Sequence, residues 1–210
     1  MQFTLSWEGL SATFPAKILH SGCNAVSTAW IFDFDGVLVN TMETHFACYS
    51  QALAEVGVPV DKAQFNSQAG MTGREQISWF ARKAGITVDL DAVYRRKGEI
   101  FRGLKAEAKK IDCMVELLRL LRAAGHLVAI ATGSSRPSVQ PVIDQFGLAP
   151  DALVTSEDVK RGKPHPDLFL AAATSLGVPP GQCIVVEDSD VGIECAKRAG
   201  MRALRFFDLA

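Results

Sequence analysis

Short apolar runs alternate along most of the chain with segments in which apolar residues recur at helical spacing. The longest run covers residues 30–39, is interrupted by two aspartates and a glycine, and is typical of a strand buried in a parallel sheet. Gly36 indicates that the strand breaks there, which would let Asp35 turn back toward Asp33. Further strands are predicted at residues 126–131, 152–155, 182–186 and 203–207, with helices at 115–124, 137–146, 167–176 and 190–199. This alternation predicts βαβ units, a parallel sheet and the α/β fold class.

Residues 43–108 have a different pattern, because they carry helical periodicity without an apolar strand run. Within them, Thr72 followed by Glu75 three positions later forms a capping box that predicts the start of a helix. We therefore predict an all-helical domain at residues 43–108, inserted into a core domain formed by residues 29–42 and 109–210.

Residues 1–28 are the least informative part of the sequence. Residues 2–7 alternate weakly and are compatible with an edge strand, whereas residues 11–27 have no sustained period. A packed arm, a disordered tail and a start codon assigned too early remain open for this N-terminal arm. It lacks a basic segment followed by a long apolar core, so we do not expect a signal peptide.

Composition limits the possible partners. The 210 residues carry a net charge of −1, so no overall electrostatic field recruits nucleic acid or an anionic membrane. No apolar run approaches the roughly 18 residues of a membrane span. Five scattered cysteines without metal-type spacing indicate reduced, mostly buried thiols. We therefore expect a cytoplasmic protein, a monomer or weak dimer, with neither nucleic-acid nor membrane partners.

Three predicted strands end in polar groups, and the carboxyl ends of parallel strands meet at one edge of the sheet. These groups are Asp33 with Asp35, Thr132-Gly133-Ser134, and Glu187-Asp188, and Lys163 lies in a proline-containing loop between the last two. Taken singly, each has a structural explanation, since the hydroxyls and carboxylates suit helix caps and turns and the lysine suits a solvated loop. Their occurrence together at successive strand ends favours one common site.

Together these groups suit phosphoryl transfer to a carboxylate. An aspartate can act as the nucleophile and form an aspartyl-phosphate. A lysine, a hydroxyl and a backbone N–H at a helix start can neutralise the phosphoryl oxygens. Mg²⁺ prefers oxygen ligands, and the carboxylates of Asp33 and Asp188 are suited to bind it. Asp35 is the candidate general acid and base.

Four segments match, in order and spacing, the motifs of the haloacid dehalogenase-like hydrolase superfamily. They are Asp33-x-Asp35-Gly36-Val-Leu, Thr132-Gly133, Lys163-Pro164-x-Pro166-Asp167 and Glu187-Asp188-Ser189-x-x-Gly192. The chain resembles this superfamily over roughly residues 30–207. The helical insertion resembles the C1 cap of its β-phosphoglucomutase-like branch, which implies a Rossmann-like, doubly wound core beneath a mobile cap.

The resemblance assigns a role to each motif residue. It implies that Asp33 is the nucleophile and a Mg²⁺ ligand, and that Asp35 is the acid and base and a ligand through its backbone carbonyl. The remaining roles are phosphate binding by Thr132, Gly133 and Lys163, and completion of the metal site by Asp188 with Glu187 close by.

The second aspartate narrows the reaction. The dehalogenases and the phosphonate-cleaving relatives lack an equivalent of Asp35, so the resemblance implies a phosphatase or a sugar-phosphate mutase. Two features depart from the mutase pattern. The loop before Arg74 is one residue longer than the corresponding loop of the mutases, and Ser134-Ser135-Arg136 differs in sequence from the mutase loop at the second motif. Residues 163–203 look more like the small fructose-1-phosphate-type phosphatases.

The same resemblance indicates residues that contact the substrate. His45 lies in a segment similar to the mutase hinge, Arg74 follows the lengthened loop, and Lys97 belongs to a basic pair that the mutases use. Ser134 and Arg136 are further candidates, although their loop departs from the mutase pattern. The other basic residues of the last cap helix are interpreted as a solvated face, namely Arg95, Arg96, Arg102 and Lys105.

We therefore expect a Mg²⁺-dependent phosphatase that acts on a small phosphorylated metabolite, such as a sugar or polyol phosphate. A β-phosphoglucomutase-like mutase is the alternative enzyme, and a binding or regulatory protein without turnover is the alternative from another class. The complete motif set weakens the last alternative. The exact substrate, the oligomeric state and the role of residues 1–28 stay open.

Overall fold

The computed structural model describes residues 2–7, 10–15, 28–68, 71–104 and 109–206. The strands are β1 (Gln2–Trp7), β2 (Leu10–Pro15), β3 (Ala29–Phe32), β4 (Val39–Asn40), β5 (Lys109–Lys110), β6 (Leu127–Ala131), β7 (Ala152–Val154), β8 (Cys183–Glu187) and β9 (Arg202–Arg205). The helices are α1 (Met42–Ala54), α2 (Lys62–Ser67), α3 (Gly73–Ala84), α4 (Leu90–Leu104), α5 (Asp112–Ala123), α6 (Arg136–Phe146), α7 (Asp167–Leu176) and α8 (Asp190–Arg198).

Five of these strands form the central sheet, in the order β7-β6-β3-β8-β9, and every pairing in it is parallel. In this order β3 is the middle strand, with β6 and β8 hydrogen-bonded on either side. The residues that follow these three strands therefore meet at one edge of the sheet, as the sequence predicts.

Both faces of the sheet are covered, which explains why its strands are almost wholly apolar. Alternate strand residues point to opposite faces. On β3, Trp30 and Phe32 belong to one hydrophobic cluster with residues of α5 and α6, whereas Ala29 and Ile31 belong to another with residues of α7 and α8. The core is therefore a doubly wound α/β sheet.

The strand predicted from residue 30 to a break at Gly36 is shorter in the structure. β3 ends at Phe32, four residues before Gly36, because the backbone then closes a tight loop. In this loop the amides of Leu38 and Val39 both donate to the carbonyl oxygen of Phe34, over 3.0 and 3.1 Å. The loop lets Asp33 and Asp35 serve one site, where a continued strand would separate them.

Helices α1 to α4 lie between β4 and β5 in the chain and share a hydrophobic cluster of their own. The predicted capping box is present, since the Thr72 hydroxyl accepts from the Glu75 amide and the Glu75 carboxylate accepts from the Thr72 amide. The sequence did not predict β4 and β5, which pair in antiparallel fashion where the chain enters and leaves the helical insertion. The domain boundaries at residues 43 and 108 stay a prediction.

The first described residues form a hairpin. β1 pairs with β2 in antiparallel register, from Gln2 opposite Pro15 to Trp7 opposite Leu10. The possible strand at residues 2–7 is therefore found, whereas β2 lies partly in a stretch for which the sequence predicted no period. Residues 16–27 of the predicted arm lie outside the described residues.

Three of the described cysteines are buried free thiols: Cys48, Cys183 and Cys195. Burial raises the pKa of Cys195 to about 12, which makes it an inert thiol at neutral pH. Among the helices that the structure describes, none is long and apolar enough to cross a membrane.

Candidate active site

A cavity lies between the carboxyl edge of the sheet and the helical insertion. Its core side carries Asp33, Asp35, Gly133, Ser134, Ser135 and Asp188, and its cap side carries Met42, His45, Tyr49, Phe65, Met71, Gly73, Gln76, Tyr94 and Lys97. The cavity volume is about 50 Å³, which holds only a few water molecules. The helical insertion therefore lies directly against the ends of the strands and leaves little space between them.

The core side of the site contains a compact group of charges. Lys163 is fully buried, and its Nζ lies 2.8 Å from Oδ1 of Asp33 and also pairs with Oε1 of Glu187. Asp33, Glu187 and Asp188 each offer a carboxylate oxygen, and these oxygens all lie within 4.8 Å of one another. Three carboxylates therefore share one ammonium group.

The resulting excess of negative charge shifts the pKa values of this group. Burial raises the pKa of Asp188 to about 7, and repulsion from Glu187 adds to the effect. Burial likewise raises the pKa of Asp33, although Lys163 opposes it. The pKa of Glu187 is lowered, because its contact with Lys163 outweighs the cost of burial. A cation near Asp33 and Asp188 would relieve this repulsion.

Two glycines allow this close approach of carboxylates. Gly36 has a φ of +85°, a region that favours glycine, and a Cβ atom there would collide with the Asp188 carboxylate. A Cβ atom at Gly192 would collide with the Glu187 carboxylate. That carboxylate also accepts from the amide and hydroxyl of Ser189, over 2.7 and 2.9 Å. The glycines of the first and last motifs are therefore required by packing.

Asp35 is held by four side chains. Its Oδ1 accepts from the hydroxyl of Thr41 and lies 3.0 Å from Nε2 of His45. Its Oδ2 accepts from the hydroxyls of Ser134 and Thr132, over 2.7 and 3.3 Å. Because both oxygens have partners from the chain, the Asp35 carboxylate stands apart from the cluster of three carboxylates.

These contacts keep Asp35 ionised. Burial alone would raise the pKa of Asp35, but the charge and hydrogen bond of His45 and the Thr41 and Ser134 hydroxyls bring it below its usual range. Burial lowers the pKa of His45, and the nearby Lys97 charge lowers it further. The His45 ring stacks on Phe101 with centroids 4.8 Å apart. His45 thus joins the cap to the core aspartate.

Lys97 faces the cavity from α4, as the sequence predicts. The residue is 5% exposed, and its Nζ lies 5.0 Å from the centroid of the Tyr49 ring and 5.1 Å from that of Phe101. Burial lowers the pKa of Lys97 to about 8, against a smaller opposing effect of Asp35. Among the described residues, none forms an ion pair or hydrogen bond with its ammonium group.

Two predicted substrate residues lie away from the cavity in this structure. Arg74 forms an ion pair with Asp91, with Nε 2.8 Å from Oδ1, and stacks over Tyr94. Arg136 donates to the carbonyl of Leu153 and to Asp158. Each guanidinium group is thus held by other residues of the chain, and neither Arg74 nor Arg136 lines the cavity.

Two predicted phosphate-binding residues lie one layer behind the cavity. Thr132 and Lys163 are 0% and 1% exposed, and each touches an aspartate that lines the cavity. Gly133 and Ser134 line the cavity directly. The structure thus brings the motif residues together. Thr132 contacts Asp35 and Lys163 contacts Asp33, so both buried residues adjoin the cavity through these aspartates.

Several site residues are missing from the set that the sequence predicted, and four of them carry polar side chains on or next to the helical insertion. They are Thr41, which donates to Asp35, and the cavity residues Tyr49, Gln76 and Tyr94. Helical spacing offered a signal for two of them, because Tyr49 lies four positions after His45 and Tyr94 three positions before Lys97. Gln76 had no comparable signal, since polar residues are common on cap helices.

The family model described as haloacid dehalogenase-like hydrolase matches residues 30–206 of the chain. The chain belongs to this family. It is 33% identical over 181 residues to fructose-1-phosphate phosphatase YqaB of Escherichia coli, a match that covers 83% of this chain and 93% of the relative. It is also 28% identical to the β-phosphoglucomutase of Bacillus subtilis, over 84% of this chain and 81% of that protein.

A solved structure of a hydrolase from Pseudomonas syringae has the same fold. The two structures agree with a TM-score of 0.80 at 26% sequence identity, over 87% of each chain. The family, the α/β fold class with its inserted helices, and the assignment to the phosphatases of this family are therefore confirmed.

Proposed function

We propose that the protein is a Mg²⁺-dependent phosphatase that hydrolyses a small sugar or polyol phosphate through a phosphorylated Asp33. The observation that carries this proposal is the juxtaposition of Asp33 and Asp35 in one cavity, with Lys163 and Asp188 beside the first and His45 beside the second. Family membership and the similarity to a named fructose-1-phosphate phosphatase support the same reaction class.

The donor set fits a divalent cation that prefers oxygen. Both carboxylate oxygens of Glu187 already have partners, Lys163 on one and Ser189 on the other. Asp33 and Asp188 present carboxylate oxygens within 4.8 Å of each other, and the backbone carbonyl of Asp35 is a third candidate ligand. When bound, Mg²⁺ would neutralise the carboxylates and polarise the phosphoryl oxygens.

Two half-reactions follow from the residues. In the first, a carboxylate oxygen of Asp33 attacks phosphorus, the ester P–O bond breaks, and Asp35 donates a proton to the leaving oxygen. In the second, Asp35 takes a proton from water as that water attacks phosphorus, which frees Asp33 and inorganic phosphate. The overall reaction consumes one water and returns Asp35 to its protonated state.

The contacts of Asp35 explain how it serves both steps. In this structure its carboxylate is held ionised, which is the form that accepts a proton from water. Donation requires the protonated form, which the negative charge of a bound phosphoryl group would favour. Replacement of the Thr41 and His45 contacts by substrate contacts would also favour the protonated form. We therefore propose that Thr41 and His45 adjust the pKa of Asp35.

The transferring phosphoryl group needs positive charge and hydrogen-bond donors. Lys163 supplies the charge, since its ammonium lies against Asp33. Thr132 supplies a hydroxyl, and the loop at Gly133 and Ser134 precedes α6 at the cavity wall. These groups act on charge that develops in the transition state.

The cap is proposed to open for each turnover. A cavity of about 50 Å³ is several times smaller than the roughly 300 Å³ at which ligand pockets usually begin. Closure would exclude water from the first half-reaction and bring the cap residues against the leaving group.

The structure gives the mutase alternative less support. A mutase needs a second phosphate site with well-placed cations, and the candidate Arg74 forms an ion pair with Asp91 and does not line the cavity. We therefore propose hydrolysis, without accumulation of an isomerised sugar phosphate.

The proposal is tested with a panel of phosphorylated sugars and polyols, assayed for inorganic phosphate with Mg²⁺ and with EDTA. Phosphate release that requires Mg²⁺ is expected. A parallel incubation with β-glucose 1-phosphate and a trace of glucose 1,6-bisphosphate follows phosphate and glucose 6-phosphate together. Glucose 6-phosphate that forms without matching phosphate would contradict the hydrolase assignment.

A further inference from the structure

The sequence predicted a substrate contact for Arg136, but its contacts in the structure are with the core domain. Its Nη2 donates to the carbonyl of Leu153 over 3.2 Å and to Oδ2 of Asp158 over 2.9 Å. Its backbone amide also donates to the carboxylate of Glu157 over 3.3 Å. Since β6 and β7 are neighbouring strands, Arg136 joins the loop that follows β6 to the loop that follows β7.

Both of these loops carry groups that the proposed chemistry needs. The loop after β6, residues 132–136, includes Ser134, whose hydroxyl donates to Asp35 over 2.7 Å. The loop after β7, residues 155–163, includes Lys163, whose ammonium belongs to the cluster of three carboxylates. The groups of the two loops act on one phosphoryl group, so the position of one loop relative to the other affects both.

Asp158 fixes the start of the loop after β7. Its Oδ2 accepts three hydrogen bonds, from the amide and the hydroxyl of Thr155, both over 2.8 Å, and from Arg136. The amide of Asp158 donates to the carbonyl of Thr155 over 3.1 Å, which closes a turn. Burial alone would raise the pKa of Asp158, but the Thr155 donors and the Arg136 charge hold it below its usual range. The carboxylate is therefore ionised at neutral pH.

A backbone hydrogen bond lies beside this ion pair. The amide of Ser156 donates to the carbonyl of Ser134 over 3.1 Å, and these residues lie two positions before Asp158 and Arg136. Neither Asp158 nor Arg136 lines the cavity. Half-exposed ion pairs add little to stability, so the main consequence of this pair is the relative position of the two loops.

We propose that Arg136 and Asp158 are positioning residues that hold the two loops together, so that the phosphate-binding groups of both loops meet one phosphoryl group. This inference rests on the proposed phosphatase function. Arg136 then acts through Ser134 and Lys163 and makes no contact with the substrate. The pair stabilises the transition state more than the bound substrate, because the position of binding groups matters most where charge develops.

The test measures kcat/KM for the best ester of the phosphatase panel, and the inhibition constants of orthovanadate and inorganic phosphate, all with Mg²⁺. Asp158→Ala should lower kcat/KM about 10- to 100-fold, because displacement of binding groups by about 1 Å has an effect of this size. The inhibition constant of vanadate, which imitates the transition state, should rise by a similar factor, and that of phosphate by less than about 3-fold. An inhibition constant does not depend on the fraction of folded enzyme.

Two further aspartate variants separate positioning from a general structural role. Asp158→Asn should keep kcat/KM within about 5-fold of the wild type, because all three donors meet at one oxygen, which asparagine also offers. The matched control is Asp151→Ala. Asp151 likewise pairs with Arg122 and accepts from the Val128 amide, both over 2.8 Å, but it precedes β7 and lies at the amino end of that strand. This control should keep both inhibition constants.

Arg136→Met removes the same ion pair from its other side and should raise the inhibition constant of vanadate as Asp158→Ala does. It leaves the Asp158 carboxylate to Thr155, so it decides the question if Asp158→Ala does not fold. The double variant should lose little more than the worse single variant, because both changes break one link. Losses that multiply would show that Arg136 acts independently of Asp158 and would overturn the inference.

Two other results overturn it: a vanadate inhibition constant that is unchanged in Arg136→Met, or one that rises equally in the Asp151→Ala control. In both cases the wild type still hydrolyses its ester, so the proposed function stands. A wild type that hydrolyses no ester of the panel, nor p-nitrophenyl phosphate with Mg²⁺, would instead refute the proposed function and this inference with it.

Discussion

Lys97 carries a positive charge into a buried site, and its removal should change the pH dependence of stability. Burial lowers the pKa of Lys97 from 10.5 to about 8. At about 1.36 kcal/mol for each pH unit, this difference corresponds to about 3 kcal/mol of unfolding free energy. Replacement by methionine removes the charge and keeps an unbranched side chain that is one atom shorter.

The sign follows from the protons bound in each state. Below pH 8 both states hold the proton, and the folded protein bears the full cost of the buried ammonium. Between pH 8 and 10.5 the folded state releases the proton while the unfolded state still holds it, so stability rises with pH. Above 10.5 the cost is gone. We expect Lys97→Met to be more stable than the wild type at pH 7, and this advantage to disappear by pH 10.5.

Urea denaturation at several pH values between 7 and 10.5, in reductant, measures this difference directly. Lys83→Met is the matched control, because Lys83 is an exposed lysine of the same helical insertion, and its difference from the wild type should not vary with pH. If the free-energy difference between the wild type and Lys97→Met stays constant over this pH range, Lys97 is not a desolvated cation in the folded protein.

Three further predictions concern activity. Asp35→Asn should slow hydrolysis of alkyl phosphates by about 10²–10⁴-fold and of p-nitrophenyl phosphate by less, since a good leaving group needs no proton; equal losses would exclude the acid role. Gly162→Ala should impair turnover, because a Cβ atom there collides with Thr72 where α3 begins, whereas Gly181→Ala, with open space around it, should not; wild-type kinetics for Gly162→Ala would show that this contact is dispensable. Deletion of residues 1–28 should leave specific activity nearly unchanged; a folded but inactive truncation would place the arm in the site.

The sequence predicted the core well because its signals are local. A strand buried on both faces must be apolar along its whole length, and its helices begin and end at recognisable capping residues. The point at which β3 ends was missed, because Phe34, Val37 and Leu38 are as apolar as the strand but form the loop that turns Asp35 back. The short strands β4 and β5 were missed, because a strand of only two residues is too short to show an alternation of apolar and polar positions.

In the site, the motif residues were predictable because strand topology brings them to one edge of the sheet. The cap residues were harder, because their position depends on how two layers meet. Lys97 was predicted to face the cavity, and it lines the cavity in the structure. Gly73 also lines the cavity, whereas the next residue, Arg74, forms an ion pair with Asp91 instead.

The central claim is that Asp33 carries the phosphoryl group, and the most direct measurement is phosphate release by Asp33→Asn beside a covalent label on the wild type. With Mg²⁺ and a ³²P-labelled ester, rapid acid quenching of the wild type should leave label on the peptide that contains Asp33. Asp33→Asn should show neither label nor turnover, because an amide cannot attack phosphorus. Asp144→Asn, an exposed aspartate on α6, should retain both. Near-wild-type phosphate release by Asp33→Asn would contradict the account.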